Sequence, residues 1–472
     1  MVVPIYLFDA GAGVVAAFVA GAIIAVRTSI WLAVCTAAWA LVFTFVLRIP
    51  GPYDSPSGPA AIPVLGVFVA CFLVAWYVGR RLADRRRAQP LAAPAEAATW
   101  PGTTAHGSAA PEAEPAERAP AVAPRRRMFA GLPRPELSWP TDRQLAAFLL
   151  VLFVMALIGA ALKFRGELPP VFAENPDAAR EIVRLRSNIF VGVFSEAWTL
   201  GMAISLLRAL SGPRHNRVAF FLLVVVFTFG AALGASKNSV LVGIVPALVA
   251  ALSTRRPSAI RKPPLKASLV VLLIGLVALG AAVYLGGQRT LAGTGKFEDQ
   301  FRSQYGGSAI STSVGSLDLS LSSSTETFGR LWEDRNRHEP AWGRYSLTFT
   351  GSIGDRLWGH ADLYAITAQQ SRPFYMNTAT FVAIPLMDYG PIGAAVFLAL
   401  TGLLVGVVDR RLEGSVNPAL QIARAIVIYY ATFGVYEYYP LLQPIWLTIV
   451  PVLVALYLVS SRTRLRMPAW KR

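Results

Sequence analysis

Residues 377–412 read NTATFVAIPLMDYGPIGAAVFLALTGLLVGVVDRRL, a polar start followed by a long apolar run. From position 391 to position 408 the run contains no charged residue, and its eighteen residues approach the length that crosses the hydrocarbon core of a bilayer. The basic segment DRRL ends it. The stretch therefore predicts a membrane-spanning helix that is entered from a polar loop.

The rest of the chain repeats this pattern. The 472 residues are 54% hydrophobic, and the apolar residues are concentrated in runs of about twenty. We predict an all-α polytopic integral membrane protein of about eleven transmembrane helices, near residues 5–26, 30–47, 62–79, 144–162, 188–207, 218–235, 239–253, 267–286, 391–408, 419–436 and 441–460.

The net charge of +17 is carried largely by loops that alternate along the chain. Basic clusters follow the third, fifth, seventh and ninth predicted spans, and another ends the chain. Such clusters mark cytoplasmic loops and interact with anionic lipid, so this distribution argues against a nucleic-acid partner. We predict a multi-pass protein of the cytoplasmic membrane with its N-terminus outside and its C-terminus inside.

These patterns divide the chain into six parts. Residues 1–80 carry three transmembrane helices, and residues 81–143 form an Ala- and Pro-rich segment that is expected to be a disordered cytoplasmic linker. Residues 144–286 carry helices four to eight, and residues 391–460 carry helices nine to eleven. Between them, residues 287–390 form a large extracytoplasmic loop that is expected to be catalytic, and residues 461–472 form a basic cytoplasmic tail.

The large loop contains nine basic and ten acidic residues and two of the four histidines of the chain. Its Ser-rich part, residues 308–325, alternates in SLDLSL and is compatible with a short strand or an extended loop. Ser323 followed by Glu326 has the pattern of a capping box, which predicts that a helix begins there.

Residues 377–412 resemble the signature of Wzy-type oligosaccharide repeat-unit polymerases, which combines Asn-x-x-Thr, Asp-[Phe/Tyr]-Gly-x-x-Gly and an apolar Gly-x-x-x-Gly helix after a large outer loop. The matching positions are Asn377, Thr380, Asp388, Tyr389, Gly390, Gly393, Gly402 and Gly406. The related O-antigen ligases usually place His beside the Asn, where this chain has Met376. The resemblance implies a GT-C-like bundle and an inverting transferase that polymerises undecaprenyl-diphosphate-linked oligosaccharides at the outer membrane face.

Such a reaction releases a diphosphate, and guanidinium groups suit the stabilisation of its charge. We therefore predict catalytic roles for Arg289, Arg344 and Arg372, although each of them is also compatible with a surface ion pair. Asp388 is predicted either to activate the acceptor hydroxyl or to cap the following helix. The predicted substrate-binding residues are Lys237, Glu196, His360, Asn377, Tyr389 and Glu437.

The polar loop shows no cluster with the spacing of metal ligands, so we expect a metal-independent reaction without a cofactor. The expected partners are the lipid-linked oligosaccharide and membrane lipid, with a flippase and a chain-length regulator as possible partner proteins. Two other classes of function stay open. One is a glycan ligase or another transferase that uses lipid-linked sugars, and the other is a transporter or flippase, for which we see no internal repeat.

Overall fold

The computed structural model describes residues 5–48, 57–88, 137–173, 179, 182–183, 189–234, 237–254, 302–303, 306, 308–337, 339–346, 356, 370, 380–434 and 445–465. Eleven α-helices and no strand lie in these ranges. They are α1 (Ile5–Ala25), α2 (Ile30–Arg48), α3 (Ser57–Ala88), α4 (Asp142–Phe164), α5 (Ile189–Ser211), α6 (Arg217–Ala232), α7 (Lys237–Thr254), α8 (Ala309–Glu333), α9 (Ala383–Leu412), α10 (Pro418–Phe433) and α11 (Val450–Leu465).

The predicted all-α class is thus confirmed for the described part of the chain. Helical segments of α2, α3, α4, α5 and α9 are long and apolar enough to cross a membrane, while α1, α6, α7 and the segment Trp446–Ser461 are shorter apolar helices. These apolar helices are those of a membrane-embedded protein. The predicted span 267–286 lies outside the described residues.

The helices pack in two groups. Helix α9 lies against α3, with α1, α2 and α8 beside them, while α5 packs between α4, α6 and α7. Helix α10 joins the groups because it contacts α2 and α9 on one side and α7 on the other. The Thr448 hydroxyl, in the π-helical stretch Ile445–Ile449, donates to the Val193 carbonyl in the second group at 2.9 Å.

Small residues set a close contact between the parallel helices α3 and α9. A Cβ atom at Gly402 would lie 2.2 Å from the Phe72 carbonyl oxygen, and one at Gly406 would lie 2.1 Å from that of Trp76. Only glycine allows two backbones to approach this closely. The Gly-x-x-x-Gly pattern of α9 is therefore explained by packing.

Contacts between helix ends place them in two sets. We call residues 25–31, 80–88, 137–142, 208–217, 253–254, 409–418 and 457–465 the basic end. Here the Trp31 indole donates to Ser253 at 3.1 Å, and the Ser138 backbone N–H donates to the Val416 carbonyl at 2.7 Å. The helix ends that meet here are the ones that the basic clusters predict to lie on the same side of the membrane. Which side of the membrane this is stays a prediction.

The other ends meet on the far side, which we call the opposite end: residues 5–11, 47–48, 57, 164–173, 189–193, 232–234, 237–239, 329–337, 339–346, 380–390, 434 and 445–448. The Phe381 N–H donates to the Gly434 carbonyl at 2.8 Å, and the Val171 N–H donates to the Leu233 carbonyl at 3.3 Å. Helix α8 belongs here, because a Cβ at Gly329 would lie 2.4 Å from the Ser57 carbonyl oxygen.

The Ser-rich stretch differs from its prediction. Residues 309–333 form a continuous helix. The predicted strand or extended loop at residues 308–325 and the predicted helix start at Ser323 were therefore wrong. The helix begins after Ser308, whose hydroxyl accepts the backbone N–H of Ser311 at 3.1 Å. Phe328 packs edge-on against Phe68 of α3, with ring centroids 6.3 Å apart. Tertiary packing therefore overrides the alternating local pattern.

Candidate functional site

The candidate site lies at the opposite end, where α9 begins. Gly390, with φ of 65°, interrupts the helical backbone of α9, and Pro391 follows it. This positive φ is a conformation that glycine adopts without steric cost. The first two turns of α9, residues 383–389, are therefore set at an angle to the long apolar part of the helix.

Asp388 lies in these first turns and is completely buried. Its carboxylate accepts the backbone N–H of Tyr345 at 2.9 Å and that of Ser346 at 2.6 Å, and the Ser346 hydroxyl also donates to it. A buried carboxylate that accepts several hydrogen bonds holds its donors firmly, because each donor would otherwise lose a partner. Asp388 thus fixes the segment 341–346 to α9.

Backbone hydrogen bonds complete the attachment of this segment, which we call the Arg344 turn (residues 341–346). The Ala341 N–H donates to the Met387 carbonyl at 3.1 Å, and the Trp342 N–H donates to the Asp388 carbonyl at 2.8 Å. Trp342 and Gly343 both have positive φ, 49° and 95°. A non-glycine residue in this region carries strain, which persists only where the surroundings hold the backbone in place.

The Arg344 turn presents two side chains of chemical interest. Arg344 is half-buried, and Trp342 is 72% exposed. A guanidinium on a rigid turn offers a preorganised site for phosphate oxygens, and an exposed indole offers an apolar face on which a sugar ring or a lipid can lie. Trp342 was not among the predicted site residues; its position two residues before Arg344, in a Trp-Gly-Arg sequence, was the available signal.

Tyr389 is half-buried and its ring stacks on Phe397, with centroids 5.5 Å apart and planes 24° apart. The contact bridges the interruption at Gly390. The structure thus brings three of the predicted site residues, Arg344, Asp388 and Tyr389, to one place.

Glu196 lies in the second group of helices, in the half of α5 nearer the opposite end. Thr199 and Lys163 are its polar neighbours. Lys237 begins α7, and its side chain lies outside what the structure describes. Arg289, His360, Arg372, Asn377 and Glu437 also lie outside the described residues, so their predicted roles stay predictions.

A second charged cluster occupies the basic end, and the sequence analysis did not predict it. Asp409 is fully buried and accepts from Arg424 Nε at 2.8 Å and from the Trp76 indole at 3.2 Å, and it also pairs with Arg80. Because this carboxylate joins α3, α9 and α10, we regard it as structural. The signal in the sequence is an acidic residue directly after the apolar run 391–408, at the start of the basic segment DRRL.

Glu413 extends this cluster. Burial raises the pKa of the Glu413 carboxyl, but the positive charges of Arg80, Arg410 and Arg424 outweigh it, so that the pKa lies below its ordinary value of 4.5. The Arg410 guanidinium donates to Glu413 at 2.6 Å. The carboxylate therefore stays charged at neutral pH and helps to hold the ends of α3, α9 and α10 together.

In the part of the chain that the structure describes, no three His, Cys, Asp or Glu side chains come together as a metal site would require. No protein-family model, no curated protein and no solved structure matches the chain.

Proposed function

We propose that this protein is a membrane glycosyltransferase that polymerises undecaprenyl-diphosphate-linked oligosaccharide repeat units into a cell-surface polysaccharide. The observation that carries the proposal is the Arg344 turn, fixed by Asp388 within the segment that resembles the polymerase signature. In this proposal the opposite end faces outward, because the basic loops predict that the basic end faces the cytoplasm.

In the proposed reaction, a hydroxyl of the acceptor sugar attacks C1 of the donor sugar while the bond from C1 to the diphosphate oxygen breaks. The lipid diphosphate leaves with the bonding electrons, the proton of the acceptor hydroxyl passes to the solvent, and the configuration at C1 is inverted. Negative charge grows on the diphosphate, and a guanidinium that is already in place stabilises it without reorganisation. We assign this role to Arg344.

Asp388 has a positioning role in this proposal. Its carboxylate is fully buried and engaged by three donors of the Arg344 turn, so it holds Arg344 in place and we do not assign it as the base. Tyr389, beside it, is proposed to contact the lipid-linked substrate. A flippase that delivers the repeat unit and a regulator of chain length are the proposed partner proteins.

The test is electrophoresis of the surface glycan, together with extraction of lipid-linked intermediates, from cells with and without the gene. A polymerase predicts loss of the long-chain ladder and accumulation of single lipid-linked repeat units in the deletion strain. Polymer that still forms but stays on its lipid carrier would indicate a ligase instead. An unchanged glycan and lipid profile would refute both readings and favour a transporter.

The site assignment is tested by Arg344→Ala in the same strain. Loss of one preorganised donor to a developing anion reduces turnover by about 100- to 1,000-fold, so the ladder should disappear at unchanged protein level. The matched control is Arg337→Ala, because Arg337 lies seven residues away and its side chain is 78% exposed in an ion pair with Asp334. A ladder that survives Arg344→Ala would refute the assignment.

A further inference from the structure

The exposed side chains of α3 lie on one side of the helix. Val67, Val74 and Val78 are 64%, 61% and 39% exposed, and their spacing of seven and four residues places them on a single helical face. Arg81 and Arg85 continue this face toward the basic end at spacings of three and four residues, and both are exposed. We call these five residues the outer face of α3. In a membrane-embedded protein, the apolar part of such a face contacts lipid chains.

The apolar part of the outer face has the depth of one lipid leaflet. Val67 and Val78 are eleven residues apart, which corresponds to about 16 Å along a helix axis. The hydrocarbon core of a bilayer is about 30 Å thick, so one leaflet contributes about 15 Å. A lipid whose acyl chain lies along residues 67–78 therefore has its headgroup at the level of Arg81 and Arg85.

Consecutive arginines of α3 have different environments. Arg80 is buried and pairs with two carboxylates of the charged cluster at the basic end. Within the described ranges, by contrast, no carboxylate forms an ion pair with Arg81 or Arg85, and Asp84, which lies between them, pairs with Arg410. The outer face thus carries two positive charges that no described carboxylate neutralises.

Tyr77 holds the guanidinium of Arg81 in place. Arg81 Nε donates to the Tyr77 hydroxyl at 3.0 Å, and the guanidinium carbon lies 5.2 Å from the centre of the Tyr77 ring. This contact uses one of the N–H groups of Arg81, and its two Nη groups have no partner among the described residues. The Tyr77 side chain is 37% exposed, and its hydroxyl keeps its own hydrogen to donate. A fixed guanidinium beside a hydroxyl donor is suited to phosphate oxygens.

We infer that the outer face of α3 binds one anionic phospholipid. Its acyl chain lies along residues 67–78, its phosphate accepts hydrogen bonds from Arg81 and Tyr77, and Arg85 lies one turn further along the helix. A lipid with a net negative charge is preferred to a zwitterionic one, because a cationic headgroup would meet two arginines and no unpaired described carboxylate. The inference does not depend on the proposed function, and it holds whichever reaction or transport the protein carries out.

The test is native mass spectrometry of the full-length protein in detergent, titrated with phosphatidylglycerol or with phosphatidylcholine of the same acyl chains. The dissociation constant of the first bound lipid is measured for the wild type, Arg81→Ala, Arg81→Lys and Arg217→Ala. Arg217 provides the matched control, because it is also exposed at the basic end and begins the apolar helix α6. Its guanidinium donates to the Gly212 backbone carbonyl at 3.4 Å, rather than to a tyrosine.

We expect Arg81→Ala to weaken phosphatidylglycerol binding by roughly 10-fold, which corresponds to the loss of one hydrogen bond to a charged group. Arg81→Lys keeps the charge but loses the planar donor geometry, so it should weaken binding by roughly 3-fold. Arg217→Ala should change it by less than about 2-fold, because a single exposed charge is screened by salt. Phosphatidylcholine should bind the wild type roughly 10-fold more weakly than phosphatidylglycerol.

Three results would overturn the inference. Equal losses in Arg81→Ala and Arg217→Ala would show that general charge attraction accounts for the binding. Equal affinity of the wild type for the two lipids would show that the outer face does not select an anionic headgroup. Wild-type affinity in Arg81→Ala would show that the tightest-bound lipid lies elsewhere on the protein.

Discussion

Removing the Asp388 carboxylate should release the Arg344 turn without unfolding the bundle. Asp388→Ala deletes the acceptor of three hydrogen bonds, from two backbone N–H groups and the Ser346 hydroxyl. Hydrogen bonds to a charged group contribute about 1.5–3 kcal/mol each, but the freed donors recover part of this by binding water once the turn detaches. We therefore expect local opening to become easier by about 3 kcal/mol.

Hydrogen exchange of the Tyr345 and Ser346 amides measures this opening directly, because both N–H groups donate to the carboxylate. A change of about 3 kcal/mol corresponds to exchange about 100-fold faster. Ser346→Ala removes only the hydroxyl donor and should give about a 10-fold increase. The control is Asp84→Ala, which removes a carboxylate that is 41% exposed and pairs with Arg410 at the basic end, and which should leave both amides unchanged.

The same variants separate positioning from catalysis. If Asp388→Ala abolishes polymer formation while the exchange of both amides stays at the wild-type rate, the carboxylate acts on the substrate and the positioning role is refuted. If exchange accelerates and activity falls together, the carboxylate acts through the Arg344 turn.

Four further predictions concern other parts of the structure. Trp342→Gly should relieve the strain of the positive φ and stabilise the Arg344 turn by about 1 kcal/mol, measured by amide exchange. The same substitution should lower polymer formation if the exposed indole contacts substrate, and wild-type activity would exclude that contact. Asp409→Ala leaves the buried Arg80 and Arg424 with Glu413 as their remaining ion-pair partner and should cost about 3 kcal/mol, measured by denaturation in nanodiscs; a change below about 1 kcal/mol would contradict the structural role of the cluster. Gly406→Ala should lower Tm because α3 and α9 must separate, whereas Gly13→Ala, where nothing lies within 4 Å of the added Cβ, should not; equal effects would refute the packing argument. The pKa of Glu413 is lowered on folding, so its contribution to stability is fully present above its ordinary value of 4.5 and is lost as pH falls through the folded pKa; Glu413→Gln should remove this part of the pH dependence of Tm.

Much of the helical architecture follows from the sequence because apolar runs of about twenty residues have few alternatives in a membrane. The predicted spans 30–47, 144–162 and 391–408 each lie within a helix of the structure. The failure at residues 308–325 has an equally physical reason. Ser and Asp have weak helix propensity and the local alternation suggested an extended chain, but packing on α3 stabilises a helix there.

The candidate site was predictable in part. Arg344, Asp388 and Tyr389 were chosen one by one from charge and from resemblance, and the structure brings them together. No pattern in the sequence shows that the carboxylate of Asp388 receives N–H groups from residues more than forty positions earlier. The sequence left open whether Asp388 caps a helix or acts as a base. The role we propose for it instead depends on the Tyr345 and Ser346 N–H groups that its carboxylate accepts.

By itself, the sequence determined that the chain is helical and membrane-embedded and which helix ends carry the basic residues, because these properties depend on local composition and length. Only the tertiary structure decided that Asp388 holds the Arg344 turn, that Asp409 joins three helices, and that α8 buries the consecutive polar residues 322–327. Each of these depends on which distant groups surround a side chain, and hydrogen bonding and burial depend on those neighbours.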